Sequence, residues 1–174
     1  MPVSSLVMLV NEWGARPRDV AGEGATPYPA RDGLDLGIPG SQQRRLADRA
    51  LVRVADRLHA VFAAGAARER ARLVTELLAA CRVRPVSLTT GARTARAAWA
   101  VDTAEQALVA AAALTLRDHL DRHGARRLGV CAGRDCADVY IDASPTHDRR
   151  FCSVTCQNRA RVAAFRRRAR TVSR

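Results

Sequence analysis

Four cysteines late in the chain, spaced Cys131-x4-Cys136-x15-Cys152-x3-Cys156, restrict its fold more than any other feature. Two close pairs joined by a spacer long enough to turn back can bring four thiolates to one point. That is the tetrahedral demand of a closed zinc site, which leaves no open position for water or substrate and is structural, not catalytic. Two rivals are a disulfide clasp and a redox dithiol. The start "MPVSSLVMLVNEWG" has no basic residue ahead of its short apolar stretch, so it does not read as a secretory signal. The expected location is cytoplasmic, where thiols stay reduced. A redox pair usually shows Cys-x-x-Cys, a spacing the sequence does not contain. The expected cofactor is therefore Zn²⁺, held by Cys131, Cys136, Cys152 and Cys156. Cys81 lies on an apolar helical stripe and is read as a core residue.

The spacer predicts local structure. "DVYID" reads as a strand, "ASPTHD" as a turn and "RRFC" as a returning strand that delivers the third ligand. Ser153 is a suitable N-cap for a helix through "VTCQNRARVAAFRRRAR", with Cys156 in its first turn. A knuckle, a hairpin and a helix carrying the last ligands form a treble-clef-like finger. Val154, Val162, Phe165 and Ala169 fall on one stripe of that helix, together with Asn158. The stripe is expected to pack on the finger, with Asn158 supporting it through a bond to the hairpin backbone. So small a module folds on its metal, because zinc contributes about 10–16 kcal/mol of apparent free energy.

Charge collects in the same place. All 29 basic residues are arginine, and nine of them lie between residues 149 and 174, where no acidic residue occurs. Most of the net charge of +12 therefore sits at one end, the pattern of a site for a polyanion. The helix spacing groups Arg159, Arg166 and Arg170 on the outer face, with Arg161 and Arg168 flanking the other side. Arg134, Arg149, Arg150 and Arg159 are near enough in sequence to offset the formal −2 of a zinc tetrathiolate.

The remainder reads as a mainly helical domain with one hairpin. "LVMLVNEW" is a short strand or first helical turn, and Arg16 to Gly40 is an irregular loop. Ser41 is expected to cap a long helix with Leu46, Val54, Leu58 and Val61 inside, followed after Gly65 by a helix bearing Leu73, Leu77 and Cys81. "VRPVSLTTGARTARAAWAV" predicts two strands around a turn at Thr90-Gly91, with Val86, Leu88, Ala98 and Val101 inward. Asp102 and Glu105 resemble a capping box opening a buried alanine-rich helix that ends at Gly124. His119 and His123, four apart near its end, read as charge compensation for the helix C-terminus. The composition shift after Gly124 sets the expected boundary at residue 126: domain 1–125, folding without metal, and domain 126–174. The fold class is α+β.

The segment "CAGRDCADVYIDASPTHDRRFCSVTCQNRARVAAFRRR" resembles the CGNR zinc finger of bacterial transcription regulators, with Cys156-Gln157-Asn158-Arg159 in place of Cys-Gly-Asn-Arg. Gln157 stands where that family has glycine, which inside a helix is no backbone requirement. In that family an N-terminal ABATE domain precedes the finger, and "LVMLVNEW" with the order of elements after it resembles that domain. The resemblance implies transcriptional control through double-stranded DNA, contacted by Arg159, Arg161, Arg166, Arg167, Arg168 and Arg170. It leaves room for a small-molecule effector or a homo-oligomer contact through the first domain. The alternative is a finger whose basic helix docks an acidic protein. No apolar run approaches the about 20 residues of a membrane span, so no membrane partner is expected. No phosphate loop or GxSxG is present in the sequence, and no enzymatic activity is expected.

Overall fold

The computed structural model describes residues 1–90 and 94–172, with side chains at all of these except 88–90, 94–96, 98 and 169–172. The first element, α1 (Val3–Trp13), is a full helix and not the expected strand or single turn. Leu6, Leu9, Val10 and Trp13 recur at helical spacing and are all buried, which is what holds it helical. A short helix α2 (Ala15–Ala21) occupies the start of the expected loop and ends at Gly22, whose φ of 78° suits a residue without Cβ. The chain then runs irregularly but still contributes Leu34, Leu36 and Ile38 to the core.

The long helix starts later than expected. Ser41 falls in a single turn, α3 (Gly40–Gln43), and the helix proper is α4 (Asp48–Ala63), with no side-chain cap. Leu46, Val54, Leu58 and Val61 are buried as expected. The next helix, α5 (Ala67–Cys81), buries Val74, Leu77 and Cys81. Burial raises the Cys81 thiol above its ordinary value, in keeping with a core residue.

An antiparallel pair, β1 (Arg84–Thr90) and β2 (Thr94–Ala100), follows, in register from Arg84 opposite Ala100 to Thr90 opposite Thr94. Its connecting residues, including Gly91 of the expected turn, lie outside the described residues, as do the side chains of Leu88 and Ala98. Val86 is half-buried, and Val101 packs on the core. The alanine-rich helix is α6 (Ala104–His123), closed by Gly124 at φ 76°. Its capping box is one residue beyond the expected one: the Thr103 hydroxyl accepts from Gln106 N, and Gln106 Oε1 accepts from Thr103 N. Asp102 and Glu105 are otherwise engaged, in ion pairs with Arg84 and Arg53. The small side chains Ala107, Ala110, Ala112 and Ala113 let α6 sit deep among α1, α4 and α5. At His119 burial, followed by the charges of His123 and Arg127, lowers the pKa and favours the neutral ring.

A 3₁₀ turn at 125–127 leads into a second antiparallel pair, β3 (Leu128–Val130) and β4 (Val139–Ile141). The last helix is α7 (Val154–Val172). The fold is α+β, as expected, but the core does not end at residue 125. Leu128 and Val139 are 3% and 0% exposed and belong to the same core as α1, α4 and α6. Three side chains of the helical body also grip the pair. Asn11 accepts from Val139 N and donates to Val139 O, like one rung of a sheet. His59 Nε2 lies 3.0 Å from Ala137 O. The Arg70 guanidinium donates to the carbonyls of Val61, Phe62, Ala125 and Leu128. The boundary expected at residue 126 is therefore not a boundary between cores.

Candidate metal centre and basic helix

The four cysteines arrive from three local structures. Cys131 follows β3 directly, and its N–H is fixed by Asp138 O at 2.8 Å, so the β3–β4 register positions the first ligand. The knuckle through Gly133 turns tightly, with Gly133 N donating to Cys131 Sγ at 3.4 Å, and returns Cys136. A Cβ at Gly133 would make only ordinary contacts with the surrounding cysteines. Gly129 is different: a Cβ there would meet the Tyr140 ring across the strand pair at 2.6 Å. Only glycine lets that ring lie flat over the pair.

The third ligand is not delivered by a strand. "RRFC" is irregular, and the hairpin partner of β4 is the upstream segment 128–130, not the downstream one. What holds the return segment is side-chain chemistry. Tyr140 Oη donates to Arg149 O at 2.5 Å, and the Arg149 guanidinium lies 5.2 Å from the Tyr140 ring centroid. Arg149 also donates to the carbonyls of Ile141, Phe151 and Cys152. Asp142, buried, accepts from Ser144 N at 2.8 Å and Arg149 N at 3.0 Å. Hydrogen bonding by Ser144 is the main cause that holds the Asp142 carboxyl below its ordinary value. Arg149 is thus a backbone brace more than a counter-charge for sulfur.

Ser153 caps α7 as expected, its hydroxyl accepting from Cys156 N at 3.2 Å, which places Cys156 in the first turn. The result is four sulfurs mutually within 4.8 Å, with Cys136–Cys152 and Cys152–Cys156 Sγ separations of 3.6 Å. Ligands 2.3 Å from a tetrahedral centre would be about 3.8 Å apart. The donor set therefore fits a metal ion of zinc's size, and the cysteines are not disulfide-bonded. Burial pushes the Cys136 thiol up to about 12 and that of Cys152 up as well. For Cys131 burial acts in the same sense, but hydrogen bonds from the N–H groups of Cys152 and Gly133 and from the Cys136 and Cys152 side chains together lower the thiol. A thiolate cluster this enclosed needs a cation to be deprotonated together. His147, at φ 55°, bonds Arg127 and stands apart from the cluster.

Beyond Cys156 the outcome differs from expectation. Val154, Val162 and Phe165 do form a stripe, but it faces solvent at 70%, 49% and 72% exposure. Asn158 is exposed too and makes no side-chain hydrogen bond among the described residues, so it does not pair with the hairpin. The reason is geometric. Cys156 must turn its sulfur inward, and Phe165, nine residues later, is about two and a half turns on and hence on the opposite side. The side toward the finger is lined by the half-buried Ala160 and Ala164. Arg159, Arg161, Arg166, Arg167 and Arg168 are all exposed, and no acidic residue occurs in α7. Arg170 lies within α7, with its side chain outside the described residues.

Residues 127–169 match the CGNR zinc finger family. This segment is a zinc finger whose four cysteines are placed to bind a metal. None of the curated proteins compared matches the chain. No helix among the described residues is long and apolar enough to cross a membrane.

Proposed function

We propose that this protein is a zinc-dependent transcription regulator of the bacterial cytoplasm that binds double-stranded DNA through α7, with Zn²⁺ on Cys131, Cys136, Cys152 and Cys156. The observation that carries the reading is the state of α7: 19 residues, exposed arginines and no carboxylate. Metal binding at its first turn would fix its direction, and Arg159, Arg161, Arg166, Arg167, Arg168 and Arg170 would neutralise phosphates. The helical region before it resembles an ABATE domain, consistent with a regulator and with no enzymatic role. Binding driven by counterion release weakens with salt at a log–log slope of about −0.9 per phosphate contact. Three to five contacts give a slope of roughly −3 to −5, and Arg166→Ala should reduce its magnitude by about one. Titration of duplex DNA at several salt concentrations, with and without a zinc chelator, tests this. The chelator should abolish binding. A salt-independent affinity would overturn it.

A second reading rests on the exposed Val154, Val162 and Phe165. Flanked by arginines, they form an amphipathic face that would suit an acidic protein segment. Removing Phe165 would then abolish binding of that protein while leaving the salt slope on DNA unchanged.

A further inference from the structure

We propose that the helical body binds a small phosphate monoester in the cleft between the α3–α4 junction and the start of α6. The cleft encloses about 440 Å³, within the range of small-molecule sites. Gln42, Arg45, Arg49, Arg53, Asp102 and Glu105 are among the residues that line it. Its charges do not cancel. Arg53 grips Glu105 with two bonds, Nε to Oε1 at 3.1 Å and NH2 to Oε2 at 2.6 Å. Asp102 is held by Arg84 at 2.9 Å. Both carboxylates are thus answered, while Arg45 and Arg49 make no side-chain hydrogen bond or ion pair among the described residues. Two guanidinium groups are left over on one concave surface. The Glu105 carboxyl registers the excess: it is held below its ordinary value first by the Arg53 hydrogen bond and further by the charges of Arg53, Arg57 and Arg49.

Two unanswered guanidinium forks match the charge and the paired oxygens of a phosphate dianion better than a single carboxylate. The cleft is larger than a phosphate ion and is also lined by Leu46, Ala47, Ala50 and Ala104, which leaves room and apolar surface for the carbon body of an ester. The opening turn of α6 forms part of the wall and adds the positive end of its dipole. The assignment depends on this cleft alone and is independent of what α7 binds.

The test is calorimetric titration of the zinc-loaded full chain with glycerol 3-phosphate, beside inorganic phosphate and succinate, in enough salt to screen α7. Saturable binding with one site is expected, with glycerol 3-phosphate tighter than inorganic phosphate and succinate weakest. Arg45→Gln and Arg49→Gln should each weaken it about tenfold or more, the effect of losing a charge-assisted bond. Arg159→Gln and Arg166→Gln on α7 should leave it within about twofold. Should Arg49→Gln melt early, Arg49→Lys, which keeps the charge and loses the fork, must still weaken binding. Absence of saturation by about 10 mM would overturn the assignment. So would equal binding by the Arg45 and Arg49 variants, or loss confined to the α7 variants. A response of these two arginines to duplex DNA but not to glycerol 3-phosphate would overturn it as well.

Discussion

The strand pair β3–β4 and the helix α7 contribute cysteines to the same cluster, yet they have opposite surroundings. Val139 at the start of β4 is fully buried among the helices of the body, whereas Phe165 on α7 is 72% exposed. The strands are tied down by Asn11, His59 and Arg70, which reach them from three different helices. Past its Ser153 cap, the buried and half-buried residues of the described part of α7 are Cys156, Gln157, Ala160 and Ala164. The metal site is therefore a joint between an element that is part of the core and one that stands out from it. Stability belongs to the first, and the recognition proposed above would belong to the second.

Cutting the chain at two places gives the largest expected contrast. Ending it after residue 125 strips Leu128 and Val139 from the core, leaves the polar ends of Asn11 and His59 without their partners, and takes Leu128 O from Arg70. The loss should be at least about 5 kcal/mol, comparable with the whole stability of an ordinary domain. Ending it after residue 158 keeps all four cysteines and should change the stability of the body by no more than about 1 kcal/mol. Denaturant melts followed by circular dichroism would compare the two. Cooperative folding of residues 1–125 alone would break the comparison.

Within the intact chain, Arg70→Ala isolates one tie. Four carbonyls lose their donor together, and the expected cost is about 3 kcal/mol or more, seen as a lower midpoint of the single unfolding transition. At the other extreme, Phe165→Ser should change stability by less than about 0.5 kcal/mol, since its ring is already in water. A cost above about 2 kcal/mol would mean that the α7 stripe is packed after all.

Much of this was legible before any coordinates. The ligand set, the Ser153 cap, the helices carrying Leu58 and Leu77 and the end at Gly124 follow from spacing and local chemistry. What was not legible divides into two kinds. Asn11 and Arg70 lie far in sequence from the strands they hold, and nothing in a periodic pattern reveals that a polar side chain will act as a strand rung or a carbonyl clamp. "RRFC" and "LGV" are both short, and the choice between them as partner of β4 was settled by core burial of Leu128, which local propensity does not carry. The direction of α7 was legible but misjudged. An apolar stripe suggests an inward face, but a metal ligand fixes orientation first, and Cys156 together with 3.6 residues per turn already points Phe165 outward. The cleft beside α6 gave no signal at all, since Arg45 and Arg49 look like any exposed arginines until Arg53 and Arg84 are seen to have taken the nearby acids.

Hydrogen exchange across the chain, before and after zinc is removed by a chelator, tests the division between the two arms most directly. Zinc removal should leave the amides of Gly129, Val139 and Tyr140 protected, because the strand pairing and Asn11 hold them, while the amides of residues 154–168 lose protection as α7 loses its anchor. Simultaneous loss in both segments would show a self-contained finger folded by its metal, and would contradict the account.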